Sequence, residues 1–410
     1  MSLFQENLEK YAELAVKVGV NVQLNQTLVI NTSIDQAEFI RLVVKNAYQA
    51  GAKNVVVNWN DDVVTRFKYD LAPDESFLEY PTFRAQEQIA LAKEGAAFMS
   101  VISSSPDLLS GVDPKRIANF QKVSGEALEE FRQYIQSDKV SWTVIAAPSQ
   151  AWAEKVFPDV DPSEQVDALW NAIFKAVRVD QEDPVAAWKT HDETLHEKAD
   201  YLNDKNYTSL HYTAPGTDLT VDLPKGHIWC GAGSVSEDHV HFMANMPTEE
   251  VFTAPDFRRA EGTITSSKPL SYGGTVIDGM TFNFKDGEVV EVSAEQGEET
   301  LKALINDNKG SKSLGEVALV PHKSPISQSG IIFYNTLFDE NASNHLALGQ
   351  AYATSVQGGA KMDRDQLEEA GLNRSNVHVD FMVGNGEMNI DGIKEDGTVV
   401  PIFRNGEWAF

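Results

Sequence analysis

Thr27-Leu-Val-Ile-Asn31, a helix-length stretch carrying Phe39, Leu42, Val43 and Ala47, and then Asn54-Val-Val-Val-Asn-Trp59 set the fold of the amino-terminal half. The two flanking runs are short and continuously apolar, as strands buried on both faces are. Between them the apolar residues recur at three- and four-residue intervals, the period of one helix face. Asp35 and Glu38 make an expected capping pair at the start of that helix, and Gly51 an expected stop. Strand, helix and strand in this order form a βαβ unit, which predicts a parallel sheet with helices packed on it.

The alternation extends in both directions. Phe4, Leu8, Tyr11, Ala15 and Val18 predict an amphipathic opening helix, and residues 96–103 and 140–147 read as further buried strands. Helical spacing returns around residues 116–136 and 166–177. From about Tyr207 the rhythm changes to short alternating strands, among them residues 217–222, 240–246 and 280–284. Turn dipeptides multiply there: Asp286-Gly287, Asn385-Gly386, Asp396-Gly397 and Asn405-Gly406. The carboxyl end reads as an antiparallel meander of residues 378–383, 387–393, 399–403 and 408–410. With the charged helical segment 177–205 as junction, the expectation is two domains. Residues 1–205 form an α/β domain, and residues 206–410 a mostly β domain of α+β type. Seven of the nine histidines follow that junction, which places any metal chemistry in the second domain.

Thirty-four basic against 61 acidic residues give a net charge of −27. Such a surface repels phosphate backbones and anionic lipid, which argues against nucleic-acid and membrane partners. It serves solubility first, and it also favours cationic ligands such as peptides with a free amino terminus. Cys230 is the single cysteine, so no intrachain disulfide framework exists and a reducing compartment is expected. Met1-Ser-Leu-Phe-Gln-Glu lacks the basic start and apolar core of a signal peptide, and no run approaches the ~20 apolar residues that span a bilayer. The expected location is the cytoplasm.

The chemistry concentrates in His378-Val-Asp380, preceded by His345 in Asn344-His345-Leu346 and by three acidic spots, Glu249-Glu250, Glu316 and Glu340. Residues two apart on a strand share a face, so an imidazole and a carboxylate lie side by side at 378 and 380. Glu316 sits against Val317, Ala318, Leu319 and Val320, where an unpaired carboxylate is costly and calls for a cation or a strong hydrogen-bond network. Mixed imidazole and carboxylate sets without thiolate suit divalent zinc, cobalt or manganese. Each motif alone has an ordinary structural use: His-x-Asp as a bonded pair, Glu249-Glu250 as a solvated turn, Glu340 as a cap. His211, His227, His239, His241 and His322 are expected to be structural or on the surface. Gly231-Ala-Gly233 and Gly273-Gly274 lack the strand-to-helix setting of a phosphate loop, and Asp363-Arg-Asp365 reads as a helix start.

Taken together, Asn245-Met-Pro-Thr-Glu-Glu250, Gly315-Glu316-Val-Ala-Leu-Val320, Asn335 to Gly349, and Asn376-Val-His378-Val-Asp380 resemble the signature of the thermophilic-type metallo-aminopeptidases, the family of aminopeptidases T and S. Ser324-Pro-Ile-Ser327, Phe333-Tyr-Asn-Thr-Leu-Phe338, the run from Arg259 to Leu270 and Gly111-Val-Asp-Pro114 extend the likeness over essentially the whole chain. The resemblance implies a two-metal site with Glu250, Glu316, Glu340, His345, His378 and Asp380 as ligands and Glu316 as the bridge. It also implies a catalytic role for Tyr352 and a homodimer, with an enclosed space that limits substrates to short peptides. Glu249, beside a ligand, is the expected proton carrier by analogy with acid pairs in other two-metal peptidases. The expected function is removal of amino-terminal residues by a metal-activated water. The competing classes are a two-metal amidase or phosphoesterase, and a non-catalytic metal- or ligand-binding protein.

Overall fold

The computed structural model describes residues 2–272 and 275–410; Gly273 and Gly274 lie outside the described residues. Two compact units make up the chain: Met1–Thr190 with Gly233–Pro247, and His191–Ala232 with Thr248–Phe410.

In the first unit four strands lie in the order Asn54–Asn60, Thr27–Ser33, Ala97–Ile102, Trp142–Ala146, all parallel. Leu28, Val29 and Ile30 of the second of these are fully buried, as the continuous apolar run predicts. The opening helix Leu3–Leu14 is capped by the Ser2 hydroxyl, and its buried Tyr11 hydroxyl donates to the Ala146 carbonyl at 2.9 Å. The helix between the first two strands starts differently from expectation. Asp35 and Glu38 do not cap it: a 3₁₀ turn, Ile34–Gln36, precedes the helix Ala37–Gln49, and Gln36 occupies the N-cap position without a side-chain cap bond. The Gln36 amide is drawn instead into two long-range bonds, donating at 2.8 Å to the Ser103 hydroxyl and at 2.8 Å to the Pro148 carbonyl. Of the expected strand at 240–246 only His241–Phe242 pairs as one, with Ser234–Val235. The remaining backbone is satisfied elsewhere in this unit. Val144 N–H donates to Ala244 O, Met246 N–H to Val144 O, and Met243 N–H to the Gly19 carbonyl freed by the π-turn Ala15–Gly19.

The second unit is sheet-rich. Its eight-stranded antiparallel sheet runs Glu288–Ser293, Thr281–Lys285, Ala260–Thr265, Thr217–Asp222, Ser209–Ala214, Asn389–Ile393, Val399–Arg404, Glu407–Trp408. A five-stranded antiparallel sheet runs His378–Met382, His345–Gly349, Leu314–Leu319, Val251–Thr253, Cys230–Gly231. The expected carboxyl-terminal meander is therefore divided. Its last three strands are neighbours in the eight-stranded sheet, but His378–Met382 pairs with His345–Gly349 in the other. Leu210, Tyr212, Leu219, Ile264, Phe282 and Ile390 from the large sheet share one core with Val317, Leu319, Leu346, Leu348, Val379 and Phe381 from the small one. The Phe282 and Phe381 rings meet at 4.5 Å. Each such side chain contributes about 1.5–3 kcal/mol on burial. Among the described residues no helix is long and apolar enough to cross a membrane.

Candidate metal centre

The five-stranded sheet has a second face, and strand alternation decides what stands on it. Glu316 lies opposite Ala347, Ala347 opposite Asp380, Ala318 opposite His345 and Gly349 opposite His378. Directly paired residues point to one side of a sheet, so Glu316, His345, His378 and Asp380 share a face and leave the other to the core residues. Ala318, Ala347 and Gly349 give that face its room. A register shift between Leu314 and Glu316 resets the alternation, which is why Leu314 and Val317 both reach the core. Gly315 sits in that irregularity; a Cβ there would meet the Gly349 carbonyl oxygen at 2.3 Å, so only glycine fits.

Two further acids join from outside these strands. Glu250 immediately precedes Val251–Thr253, which pairs with the Glu316 strand. Glu340 opens the 3₁₀ turn Glu340–Ala342 and lines one cavity with Asp380. The His345 Nε2 lies 3.1 Å from a Glu250 oxygen and 3.6 Å from a Glu316 oxygen, while the His378 Nε2 lies 3.2 Å from Asp380 and 3.7 Å from the other Glu316 oxygen. Two trios result, Glu250–Glu316–His345 and Glu316–His378–Asp380, each offering three donor atoms within 4.8 Å of one another. Glu316 belongs to both. Both imidazoles are oriented from behind: the Nδ1 of His345 bonds the Ser343 carbonyl at 3.2 Å, and that of His378 the Gln350 carbonyl at 2.7 Å. A carbonyl can only accept, so Nδ1 carries a hydrogen and Nε2 faces the carboxylates.

The cluster is electrostatically out of balance. Burial pushes the Glu316 carboxyl up, as do Glu250 and Asp380, against the pull of the two histidines. Glu340 is held well above the usual carboxylate range by burial and by Glu250 and Asp380. Burial works to lower both imidazoles, yet Glu250 and Glu316, accepting from His345 Nε2–H, hold that ring well above its ordinary value, and Asp380 holds His378 at about 10. Asp380 resists burial and ends below its ordinary value because of His378. Glu250, Glu316, Glu340 and Asp380 outnumber the two imidazoles, and the upward push on Glu316 and Glu340 shows that the site resists holding all of its carboxylates ionised without a further cation. Burying such an excess is costly, and divalent cations are its natural complement. The donor set, all oxygen and imidazole nitrogen, fits zinc, cobalt or manganese.

Tyr352 stands at the rim. Its ring centroid lies 5.0 Å from that of His378 and 6.0 Å from that of Phe252. It follows the His345–Gly349 strand and precedes the 3₁₀ turn Ala353–Ser355. Desolvation of the hydroxyl, with the charges of Glu316, Asp380, Glu340 and Glu250, holds the phenol protonated far above neutrality. Glu249 is buried, and one carboxylate oxygen lies 3.5 Å from His191 Nε2. Glu249 and Glu250 thus have different imidazole partners, His191 and His345. His239 and His241 belong to the first unit and are exposed. Asp363 caps the helix Arg364–Glu369 in a full capping box, as its sequence predicts.

Three residues around the site carry no sequence signal that marks them. His191 bonds the Thr248 carbonyl at 2.7 Å. The Asn344 Oδ1 accepts from Val320 N–H at the end of the Glu316 strand, and the Asn344 carbonyl accepts from Val383 and Gly384 at the end of the Asp380 strand. The Asn341 side chain bonds both Glu249 N–H and the Leu337 carbonyl, in the short helix Thr336–Asp339 that leads into the turn carrying Glu340. Position next to a ligand motif was the available hint for the two asparagines; His191 offers none.

A cluster of this composition is a candidate site for divalent ions. Residues 4–408 match the model of the thermophilic metalloproteases, peptidase family M29, and the chain belongs to that family. It is 58% identical to aminopeptidase AmpS of Bacillus subtilis over 410 residues, all of both chains. Aminopeptidase T of Thermus thermophilus is 41% identical over 409 residues, again all of both chains. The solved structure of wild-type AmpT from Thermus thermophilus superposes with a TM-score of 0.94 at 40% identity, covering 99% of this chain and 100% of that one.

Proposed function

We propose that Glu250, Glu316, Glu340, His345, His378 and Asp380 hold two divalent ions, with Glu316 shared between them. The protein is a metal-dependent aminopeptidase, a hydrolase acting at chain ends. The observation that carries the two-ion assignment is the membership of Glu316 in both trios of donor atoms. The chemistry that bound zinc, cobalt or manganese would supply there is a water made acidic enough to attack and a more electrophilic carbonyl at the first peptide bond. His345 and His378 keep Nε2 directed at the site through their Nδ1 bonds to Ser343 and Gln350. Tyr352, protonated at neutral pH, donates a hydrogen bond to the oxygen that becomes negative as the carbonyl turns tetrahedral. Glu249 takes the proton released by the water and delivers it to the departing amine, with His191 beside its carboxylate. The acid-rich surroundings suit the α-ammonium of short peptides with a free amino terminus. The catalytic domain in this assignment is the second unit, His191–Ala232 with Thr248–Phe410, in place of the continuous stretch 206–410 expected from the sequence. Cytoplasmic residence, supported by the lone Cys230, and a homodimer, supported by the family resemblance, complete it.

Chelation followed by readdition of zinc, cobalt or manganese should abolish and restore cleavage of leucyl-anilide. An amino-acetylated peptide should resist cleavage. Turnover of the acetylated form at the rate of the free-amine form contradicts exopeptidase action.

A further inference from the structure

Asn341 is fully buried, and both ends of its side-chain amide are hydrogen-bonded. Its Oδ1 accepts from Glu249 N–H at 2.7 Å, and its Nδ2 donates to the Leu337 carbonyl at 3.0 Å and lies 3.5 Å from a Glu340 oxygen. Its own carbonyl accepts from the Ser324 hydroxyl at 2.9 Å. The orientation of the amide follows from its partners: Glu249 N–H can only donate, and the Leu337 carbonyl can only accept. One side chain thus joins two pieces of backbone far apart in sequence. One end holds the residue before Glu250; the other belongs to the residue after Glu340. Both carboxylates come from short, irregular segments, a strand's leading end and a single 3₁₀ turn, which lack the ladder of bonds that fixes Glu316, His345 and Asp380.

We infer that Asn341 is a positioning residue for metal binding: its amide sets the separation between Glu250 and Glu340 and so holds them at the spacing the ions require. This rests on the two-ion assignment above. Removing an outer partner that orients a ligand weakens metal binding by about tenfold to hundredfold.

Asn341→Ala tests it by calorimetric titration of zinc into the demetallated protein, with Asn373→Ala as the comparison. Asn373 is also a buried amide, donating to the Gly310 and Ser313 carbonyls at 2.8 and 2.9 Å. Both variants should lower the melting temperature of the demetallated protein, but Asn341→Ala alone should weaken zinc by about tenfold to hundredfold. If Asn341→Ala does not fold, Asn341→Ser, which keeps a short polar group, should shift affinity in the same direction by less. Equal zinc affinity in wild type and the folded Asn341 variant overturns the inference, as does an equal loss in Asn373→Ala. A wild-type protein that takes up no metal sinks the metal assignment instead, so the two failures are distinguishable.

Discussion

The two faces of the five-stranded sheet are built from the same strands and obey opposite rules. On one, Val317, Leu319, Leu346, Leu348, Val379 and Phe381 join a dry core. On the other, one residue along in each strand, Glu316, His345, His378 and Asp380 stand among small side chains. The first face is held by what it removes from water. The second is held against its own repulsion by the frame the first provides. Strands of period two can keep stability and chemistry one residue apart because each substitution touches one face only.

That separation can be broken in graded steps. Glu316→Ala should have the largest effect, lowering kcat/KM by about 10³-fold or more and reducing bound metal by elemental analysis. The melting temperature of the demetallated variant should not fall, because a repelled, buried carboxylate has been removed. A Glu316→Ala protein with full metal content would take this residue out of the site. Phe381→Ala, from the opposite face, should cost about 3–5 kcal/mol in denaturant unfolding while metal content per folded molecule is kept. Tyr352→Phe should lower kcat by about 10²-fold with KM and melting temperature little changed, a split that a packing role would not produce.

The smallest effect belongs to the sheet's edge. Beside the edge strand Cys230–Gly231, burial pushes the His227 ring below its ordinary value of 6.5, and its Nδ1 bonds the Pro224 carbonyl while Nε2 has no partner among the described residues. The folded protein therefore binds this proton less readily than the unfolded chain does. Its contribution is fully present above about pH 6.5 and is lost as the pH falls below that value, until the folded ring itself protonates. Between about pH 7.5 and about pH 5.5 the wild-type melting temperature should fall further than that of His227→Asn. Parallel curves would show that the ring contributes nothing to the pH dependence.

Local pattern made much of this architecture legible. Continuous apolar runs marked the parallel strands, and a carboxylate inside Gly315-Glu316-Val-Ala-Leu-Val320 announced a site because burial makes it costly. Period two predicted that His378 and Asp380 share a face. What stayed hidden depends on distant partners. Alternation alone could not say that residues 378–382 leave the meander for another sheet, since both sheets accept the same pattern. The bonds that divert Gln36 from a capping role come from Ser103 and Pro148, far along the chain. Asn341 looks like any polar residue after a short helix until Glu249 is seen against it. Resemblance grouped the six acids and imidazoles, but their separations come from the fold.

The chain's return to the first unit at Gly233–Pro247 has a consequence for biogenesis. That unit cannot be finished when residue 190 leaves the ribosome, because Val144 and Gly19 still await Ala244 and Met243. By the time those arrive, the Ser209–Ala214 and Thr217–Asp222 hairpin has already emerged. The halves are therefore interleaved in the order of synthesis. A cut at one point cannot release either as a complete linear piece, and a fragment beginning at residue 191 would carry a segment whose bonding partners were left behind.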